Sequence, residues 1–488
     1  MQDLIEIISN YTPGFNTLPF LMAFSVLYIV YALYGQKVKT RNILLLLFSL
    51  GFYYLLSGKY ILLLIGISAS DYLIGKYMIG SSEQKKNRLK NIAVCIDLGV
   101  LAWFKYIWFF ADTGNQWFDM DITRPEGWIT PVGISFYIFK SLTYIFDIHR
   151  EEIETAENSY PDYLLYVSFF PNILAGPIAF ARDLLPQLKV HTIPSHADIG
   201  KAIFLILIGA IKKYAIADRL GSDLVDRVFE NPHLFAGIEH LMAAYGYTFQ
   251  LYLDFSGYSD MMIGGALLFG IHLLPNFNQP FIAQNISEFW RRWHISLSKW
   301  FQEYVFMPIH FAWRSAGKVA LIAAVILTFA LSGLWHGAAW TYVVWGLLHG
   351  LGIAWDTLGS GVRNFLKQKT GPGIWRVLSI LLTFHFIVLT IILFRAADMH
   401  LAIEMYSEIF LHPNFALLPN WISGYSFPFT LIILACILHY VPESITQRTE
   451  TWFIQSHWVL KSCIIAAVIL LIFQLMTSDA VPFQYLQY

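Results

Sequence analysis

Charged side chains are scarce in this chain of 488 residues, because Asp, Glu, Lys and Arg together make up 13% of it. Soluble globular proteins carry about 25%. Hydrophobic residues reach 57%, so a charged shell cannot cover a compact body, and we expect lipid to be the main solvent. The net charge of −1 also lacks the positive excess by which proteins bind nucleic acid.

Cysteine is rare as well. Cys95, Cys436 and Cys463 lie in apolar runs without disulfide or metal-ligand spacing, so we predict small buried hydrophobes at all three. The sequence has no Gly-rich phosphate loop, no His/Cys cluster with metal spacing and no Gly-x-Ser-x-Gly elbow. We therefore expect no bound cofactor and no metal ion.

Long apolar runs fill most of the sequence instead. A membrane-spanning helix needs about 20 such residues, and merging the short runs predicts about eleven spans, the first over Leu18–Tyr34. The region of Pro171, Gly176 and Pro177 predicts a kinked or re-entrant segment. The expected fold class is an all-α polytopic integral membrane protein without a soluble domain.

The orientation follows from two basic loops. Gln36–Arg41 holds three basic residues and no acid, and Ser81–Asn91 holds four basic residues and one acid. Because basic loops stay in the cytoplasm, both are predicted inside and the N-terminus outside.

A polar stretch in the second half contains aromatic residues at helical spacing. One predicted face carries Trp290, Trp293, Leu297, Trp300 and Tyr304. Arg291, Arg292 and Lys299 lie off that face, which predicts an amphipathic helix at a membrane interface, aromatic side down. His294 on this helix is either a second functional residue or a solvated one.

The segment Ser332–Trp340 joins two apolar runs and contains His336 among small residues. An ionisable ring at such depth is costly and is therefore a candidate functional group, and imidazole suits proton transfer near neutral pH. A histidine merely bonded to a neighbouring helix is the alternative. Ser332 lies four residues earlier, so a Ser–His nucleophile pair is a further alternative.

Asp254 and Asp260 lie in another apolar stretch and cannot face lipid. They must pair, line a wet cavity or bind a cation, and bracing a helix break near Gly257 is equally compatible with the sequence. Four other histidines in apolar runs are predicted to be satisfied core residues, namely His240, His349, His385 and His439.

These motifs resemble the membrane-bound O-acyltransferase (MBOAT) family, and within it the bacterial alginate O-acetyltransferase branch. The resemblance rests on Pro131–Tyr137, Phe169–Pro171, Ala175–Ile178, Asp254–Asp260, Asn276–Phe281, Trp290–Trp300, Ser332–Trp340 and Phe394–Ala396. It implies a single membrane domain with N-terminal helices over 1–130, a core over 131–396 and C-terminal helices over 397–488, arranged with interfacial and re-entrant helices around a central tunnel.

The resemblance implies a catalytic role for His336 and a second characteristic polar position at His294. The residues expected to bind substrate are Trp335, Asp254, Asp260, Arg291, Arg292, Ser332 and Asn278. The donor would be a cytoplasmic acyl thioester, acetyl-CoA or an acyl carrier, whose phosphates the basic residues could attract, although lipid headgroups would serve them equally. The partners would be a periplasmic SGNH-type acetyltransferase and a polysaccharide acceptor, and the location the bacterial inner membrane.

Rival functions remain open at this point. Within the same family, D-alanyl or peptidoglycan acyl transfer would use the same motifs. Intramembrane acids and broken helices are also typical of a transporter or flippase, although the sequence has no inverted repeat. A non-catalytic membrane scaffold for an extracellular enzyme is a third alternative.

Overall fold

The structure is a computed structural model and describes residues 18–35 and 37–476. All regular secondary structure in these residues is helical. The ends of the predicted segments 1–130 and 397–488, and Gln36 of the first basic loop, lie outside the described residues.

The described residues group into two compact units, one over 18–206 and 262–274, the other over 207–261 and 275–476. This division is distinct from the predicted single domain with boundaries at 131 and 397, which stays a prediction. The first unit is built from α1 (Leu18–Tyr34), α2 (Val38–Ser57), α3 (Ile61–Met78), α4 (Glu83–Leu101), α5 (Ile107–Phe118), α6 (Ile134–His149), α7 (Tyr160–Ser168), α8 (Phe170–Ile173), α9 (Ala181–Lys189) and most of α10 (His196–Ala210).

The second unit follows, and α13 ends within the first unit. Its helices are α11 (Asp218–Leu220), α12 (Asp226–Glu230), α13 (Gly237–Leu267), α14 (Ile286–Trp290), α15 (Ile295–Phe301), α16 (Met307–Ala312), α17 (Lys318–His336), α18 (Trp340–Leu358), α19 (Ser360–Thr370), α20 (Pro372–Arg395), α21 (Met399–Leu411), α22 (Leu418–Gly424), α23 (Ser426–His439), α24 (Glu443–Gln455) and α25 (Trp458–Leu475). Segments of π-helix occupy Ala102–Tyr106, Ile211–Ala217, Gly221–Val225 and Gln302–Phe306.

Several helices could cross a membrane. Judged by length and composition, five stretches of the described residues qualify, and a sixth if the bent pair Phe415–Gly424 and Ser426–His439 forms one span. The five are Val38–Met78, Glu83–Phe118, Lys318–His336, Pro372–Arg395 and Trp458–Leu475. Helix α1 has the bounds predicted for the first span. A multi-pass membrane protein is thereby supported, while the count of about eleven spans stays a prediction.

The predicted kink near Pro171 is present in the first unit. Helix α8 ends at Ile173, and the following residues are irregular until α9 begins. Asn172 Nδ2 donates a hydrogen bond of 2.6 Å to the Pro177 carbonyl, and a Cβ at Gly176 would collide with the Pro171 carbonyl oxygen. The irregular backbone is buried in protein, which is the condition for such a segment at membrane depth.

The predicted burial of the cysteines is wrong for two of them. Cys95 and Cys463 are exposed and Cys436 is half-buried. Cys463 lies on α25, none of whose residues is buried. The outer surface of a membrane helix is as apolar as a core, so an apolar run does not distinguish the two environments.

Helices α17 and α18 form an antiparallel hairpin joined by residues 337–339. Their crossing is made by glycine, since a Cβ built on Gly333 would collide with the Tyr342 carbonyl oxygen and lie 3.2 Å from Cα of Gly346. Small residues allow two helix backbones to approach this closely. The small residues around His336 therefore do what the sequence predicted, because they admit a neighbouring helix.

Candidate active site

His336 is the last residue of α17, directly before the hairpin turn. Its side chain is buried, and aromatic rings surround it. The ring centroids of Trp335, Trp345 and Phe394 lie 5.0, 5.2 and 5.3 Å from the imidazole centroid. An imidazole in such a setting is shielded from bulk water and held in a narrow range of orientations.

His294 lies between α14 and α15 with φ of 42°, a left-handed conformation. Asn276 holds this break, because its carbonyl accepts from Ile295 N–H at 2.9 Å and its Oδ1 accepts from Ser296 N–H and Oγ–H at 3.2 and 2.7 Å. The His294 side chain is fully buried. Burial lowers the pKa of His294, which lies outside the five spans, to about 3, so the ring is neutral at physiological pH.

The prediction of one amphipathic helix at the interface is wrong in two respects. The chain forms two short helices, because the left-handed residue at position 294 interrupts the helical hydrogen-bond pattern. The predicted lipid-facing residues Trp290, Trp293, Leu297, Trp300 and Tyr304 are all buried in the protein. The break turns His294 inward instead of leaving it on a solvated face.

Trp335 joins the two histidines. Its ring centroid lies 6.3 Å from that of His294 and 5.0 Å from that of His336. Phe255 also packs against His294, with ring centroids 4.7 Å apart. Three of the predicted site residues, His294, Trp335 and His336, are thus brought together in the second unit.

A cavity of about 550 Å³ adjoins this group. It follows α17 from Leu321 to Ser332, about 16 Å of helix at 1.5 Å per residue. Its lining residues are Ser287, Trp290, Arg291, Ile295, Leu297, Ser298, Lys299, Phe301, Gln302, Phe306, Leu321, Val325, Thr328, Phe329, Ser332, Ile353 and Thr357. Mostly apolar walls with two cations suit a ligand that has an apolar or uncharged arm and an anionic group. Ser332 brings the cavity to within one helical turn of His336.

The two predicted intramembrane acids pair with adjacent lysines. Lys213 Nζ lies 2.6 Å from Asp254 and 2.7 Å from Asp218, and Lys212 Nζ lies 2.6 Å from Asp260. Pairing was one of the outcomes that the sequence allowed. Neither Asp254 nor Asp260 lines the cavity described above.

The remaining predicted substrate-binding residues differ in whether they line the cavity. Arg291 lines the cavity, whereas Arg292 binds Glu288 at 3.0 Å and the Asn278 carbonyl at 3.2 Å. Asn278 N–H donates to the Arg292 carbonyl at 2.9 Å, so its backbone braces the loop before α14. A substrate-binding role for each of these residues stays a prediction.

Sequence reasoning did not single out Trp345, which lies beside His349. The two residues are four apart on α18 and lie on one face, with ring centroids 4.7 Å apart. The i, i+4 spacing was visible, but only the hairpin shows that this face turns toward His336.

Comparison with known proteins decides the family. Residues 148–395 match the model of the MBOAT, membrane-bound O-acyltransferase family. The chain belongs to the membrane-bound O-acyltransferase family. His294, His336 and their neighbours lie within the matched residues, and the chain is an O-acyltransferase.

Three relatives of this O-acyltransferase carry names that refer to three different acceptors. A protein named "Probable alginate O-acetylase" from Pseudomonas syringae pv. tomato is 36% identical over 81% of this chain and 75% of its own length. A peptidoglycan O-acetyltransferase from Helicobacter pylori is 32% identical over 83% and 81%. A teichoic acid D-alanyltransferase from Bacillus subtilis is 30% identical over 57% and 71%.

Proposed function

We propose that this membrane-bound O-acyltransferase moves an acetyl group from a cytoplasmic thioester, acetyl-CoA, across the inner membrane. The acceptor is a hydroxyl of a periplasmic SGNH-type partner or of a cell-surface polysaccharide. The observation that carries the proposal is the cavity with Arg291 and Lys299 in its wall, which reaches Ser332 one turn from His336. The acetylating names of two relatives support the choice of acyl group.

The cavity suits a thioester donor. Its volume lies within the range of about 300–1,000 Å³ typical of small-molecule sites. Arg291 and Lys299 offer positive charge for phosphate groups, and the apolar face of α17 between Leu321 and Phe329 accommodates an uncharged arm. Such an arm would carry the acyl carbonyl toward the inner end at Ser332.

His336 acts as general base in this proposal. Its ring nitrogen takes the proton of the acceptor hydroxyl as the oxygen attacks the thioester carbonyl, and the proton passes to the departing thiolate as the C–S bond breaks. General base catalysis of this kind contributes ~10²–10⁴ in rate. The aromatic enclosure by Trp345 and Phe394 protects the thioester from hydrolysis, and neutral His294 positions donor or acceptor. A variant in which His336 itself is acylated would relay the group in two steps.

The membrane placement completes the proposal. The basic loops, including residues 37–41 and 81–91, face the cytoplasm and the N-terminus faces the periplasm. A single membrane domain with its core over 131–396 would surround the tunnel.

The test uses purified full-length protein in nanodiscs with [¹⁴C]acetyl-CoA and a polysaccharide or SGNH-type acceptor. We expect transfer by the wild type and at least a hundredfold lower rate for His336→Ala, with His240→Ala as a control for loss of a buried histidine. A His336→Ala protein that folds and transfers at the wild-type rate would exclude the mechanism. Parallel reactions with a D-alanyl carrier donor distinguish the D-alanyl alternative, and solute uptake by proteoliposomes without donor would identify a transporter.

A further inference from the structure

His349 lies in the middle of α18, buried, and both of its ring nitrogens are hydrogen bonded. Trp290 Nε1–H donates to Nδ1 at 3.2 Å, and Nε2 lies 3.2 Å from Thr390 Oγ1. The prediction that His349 is a satisfied core residue is confirmed. Its partners, however, come from two other helices, α14 and α20, and both of these helices contribute to the candidate site.

The chemistry of the groups fixes which atom donates and which accepts in the hydrogen bonds that join Trp290, His349 and Thr390. An indole nitrogen only donates, so Nδ1 of His349 must be the unprotonated acceptor. The neutral ring then carries its proton on Nε2 and donates it to Thr390 Oγ1. The threonine hydroxyl donates onward to the Phe386 carbonyl at 2.9 Å. This is the only arrangement in which each of these donors has an acceptor, so the His349 ring is neutral and carries its proton on Nε2.

These hydrogen bonds involve residues next to both parts of the candidate site, namely the cavity and the aromatic rings around His336. Trp290, at one end, lines the cavity. Trp345 contacts His349 with centroids 4.7 Å apart and contacts His336 with centroids 5.2 Å apart. Phe394, one turn after Thr390 on α20, also packs against His336, and its ring centroid lies 5.2 Å from that of Trp345. The His349 ring therefore links the cavity wall and two of the rings that enclose His336.

We propose that His349 is a positioning residue for acyl transfer, holding Trp290 in the cavity wall and the Trp345–Phe394 enclosure around His336. The proposal rests on the catalytic role proposed for His336. It assigns His349 no contact with substrate, because the ring does not line the cavity. A merely structural histidine at this place would affect the amount of folded protein and leave the turnover of each folded molecule unchanged.

The most informative variants leave the imidazole in place. Thr390→Val is nearly isosteric and removes the acceptor of the Nε2 proton, whereas Thr390→Ser retains it. We expect Thr390→Val to lower kcat about tenfold or more, since small misplacements of catalytic groups can cost about 10²-fold, and Thr390→Ser to restore most of the loss. His349→Leu should lower kcat further, because it also leaves the Trp290 N–H without its acceptor.

Trp290, at the other end of these hydrogen bonds, predicts a different kinetic effect. Trp290→Phe keeps an aromatic wall but removes the N–H, so the donor KM should rise several-fold with a smaller change in kcat. His240→Leu is the matched control, since His240 is a buried histidine of the same unit whose Nε2 lies 3.1 Å from the Pro232 carbonyl. It should lower the unfolding temperature and leave kcat per folded molecule within about twofold of wild type, since it lies outside the site.

The measurement is steady-state acyl transfer by the full-length protein, with rates divided by the folded fraction from thermal unfolding. Equal kcat for wild type and Thr390→Val, or equal losses in Thr390→Val and Thr390→Ser, would overturn the positioning role. Failure of the underlying proposal gives a different result, since His336→Ala would then transfer at the wild-type rate. An inactive His336→Ala with unimpaired His349 and Thr390 variants would reject only the inference about His349.

Discussion

Lys213 is a single buried cation between two buried carboxylates, Asp254 at 2.6 Å and Asp218 at 2.7 Å. Lys213→Met would leave two carboxylates facing each other without their shared counter-charge. Removing one partner of a buried ion pair costs about 3–5 kcal/mol. Asp254→Asn leaves the Lys213–Asp218 pair intact and exchanges a charged hydrogen bond for a neutral one, so it should cost about 1–3 kcal/mol.

Equilibrium unfolding in mixed micelles, followed by circular dichroism, measures both variants. The double variant Lys213→Met with Asp254→Asn should recover part of the loss, because a single carboxylate then remains. Equal destabilisation by the two single variants would refute the reasoning. Acyl transfer adds a second readout: full activity of folded Asp254→Asn would mean that this carboxylate is an ion-pair partner, and lost activity at unchanged stability would mean that it binds substrate.

Three further predictions concern the cavity and the hairpin. Ser332→Leu should fill the inner end of the cavity and raise the donor KM at least tenfold, with little change in unfolding temperature. Arg291→Gln should weaken donor binding and reduce its salt dependence in isothermal titration calorimetry, because Arg291 lines the cavity. Arg292→Gln should bind donor like the wild type, because the Arg292 guanidinium is paired with Glu288. Equal effects of the two substitutions on donor binding would contradict the assignment of Arg291 to the donor site. Gly333→Ala should destabilise the protein by about 2 kcal/mol or more in the same unfolding assay, because its Cβ meets the neighbouring helix backbone, and an unchanged midpoint would contradict that contact.

The parts of the fold that were predictable from sequence are those set by local composition. Helix α1 and the broken segment at Pro171 follow from apolar length and from proline and glycine placement. The small residues beside His336 predicted a close helix approach, and Gly333 and Gly346 make it. In each case the determining residues lie in one segment or in two consecutive helices.

The unpredicted features depend on distant partners. Hydrophobic spacing around Trp293 fits an uninterrupted helix, and the break at His294 is held by Asn276, which precedes it by 18 positions. The sequence showed that Asp254 required a partner but could not show that Lys213, on another helix, would supply it. The role of His349 likewise appears only when α14, α18 and α20 are placed together.

The glycine crossing of α17 and α18 has a consequence for the tolerance of the site to sequence change. Where two main chains touch, no side-chain layer lies between them that could shift to absorb a change elsewhere. The separation of His336 from Trp345 is therefore fixed by main-chain atoms, which are the same in every residue type. Substitutions among the cavity-lining residues can change which substrates the enzyme accepts while the hairpin keeps the His336 imidazole in the same position.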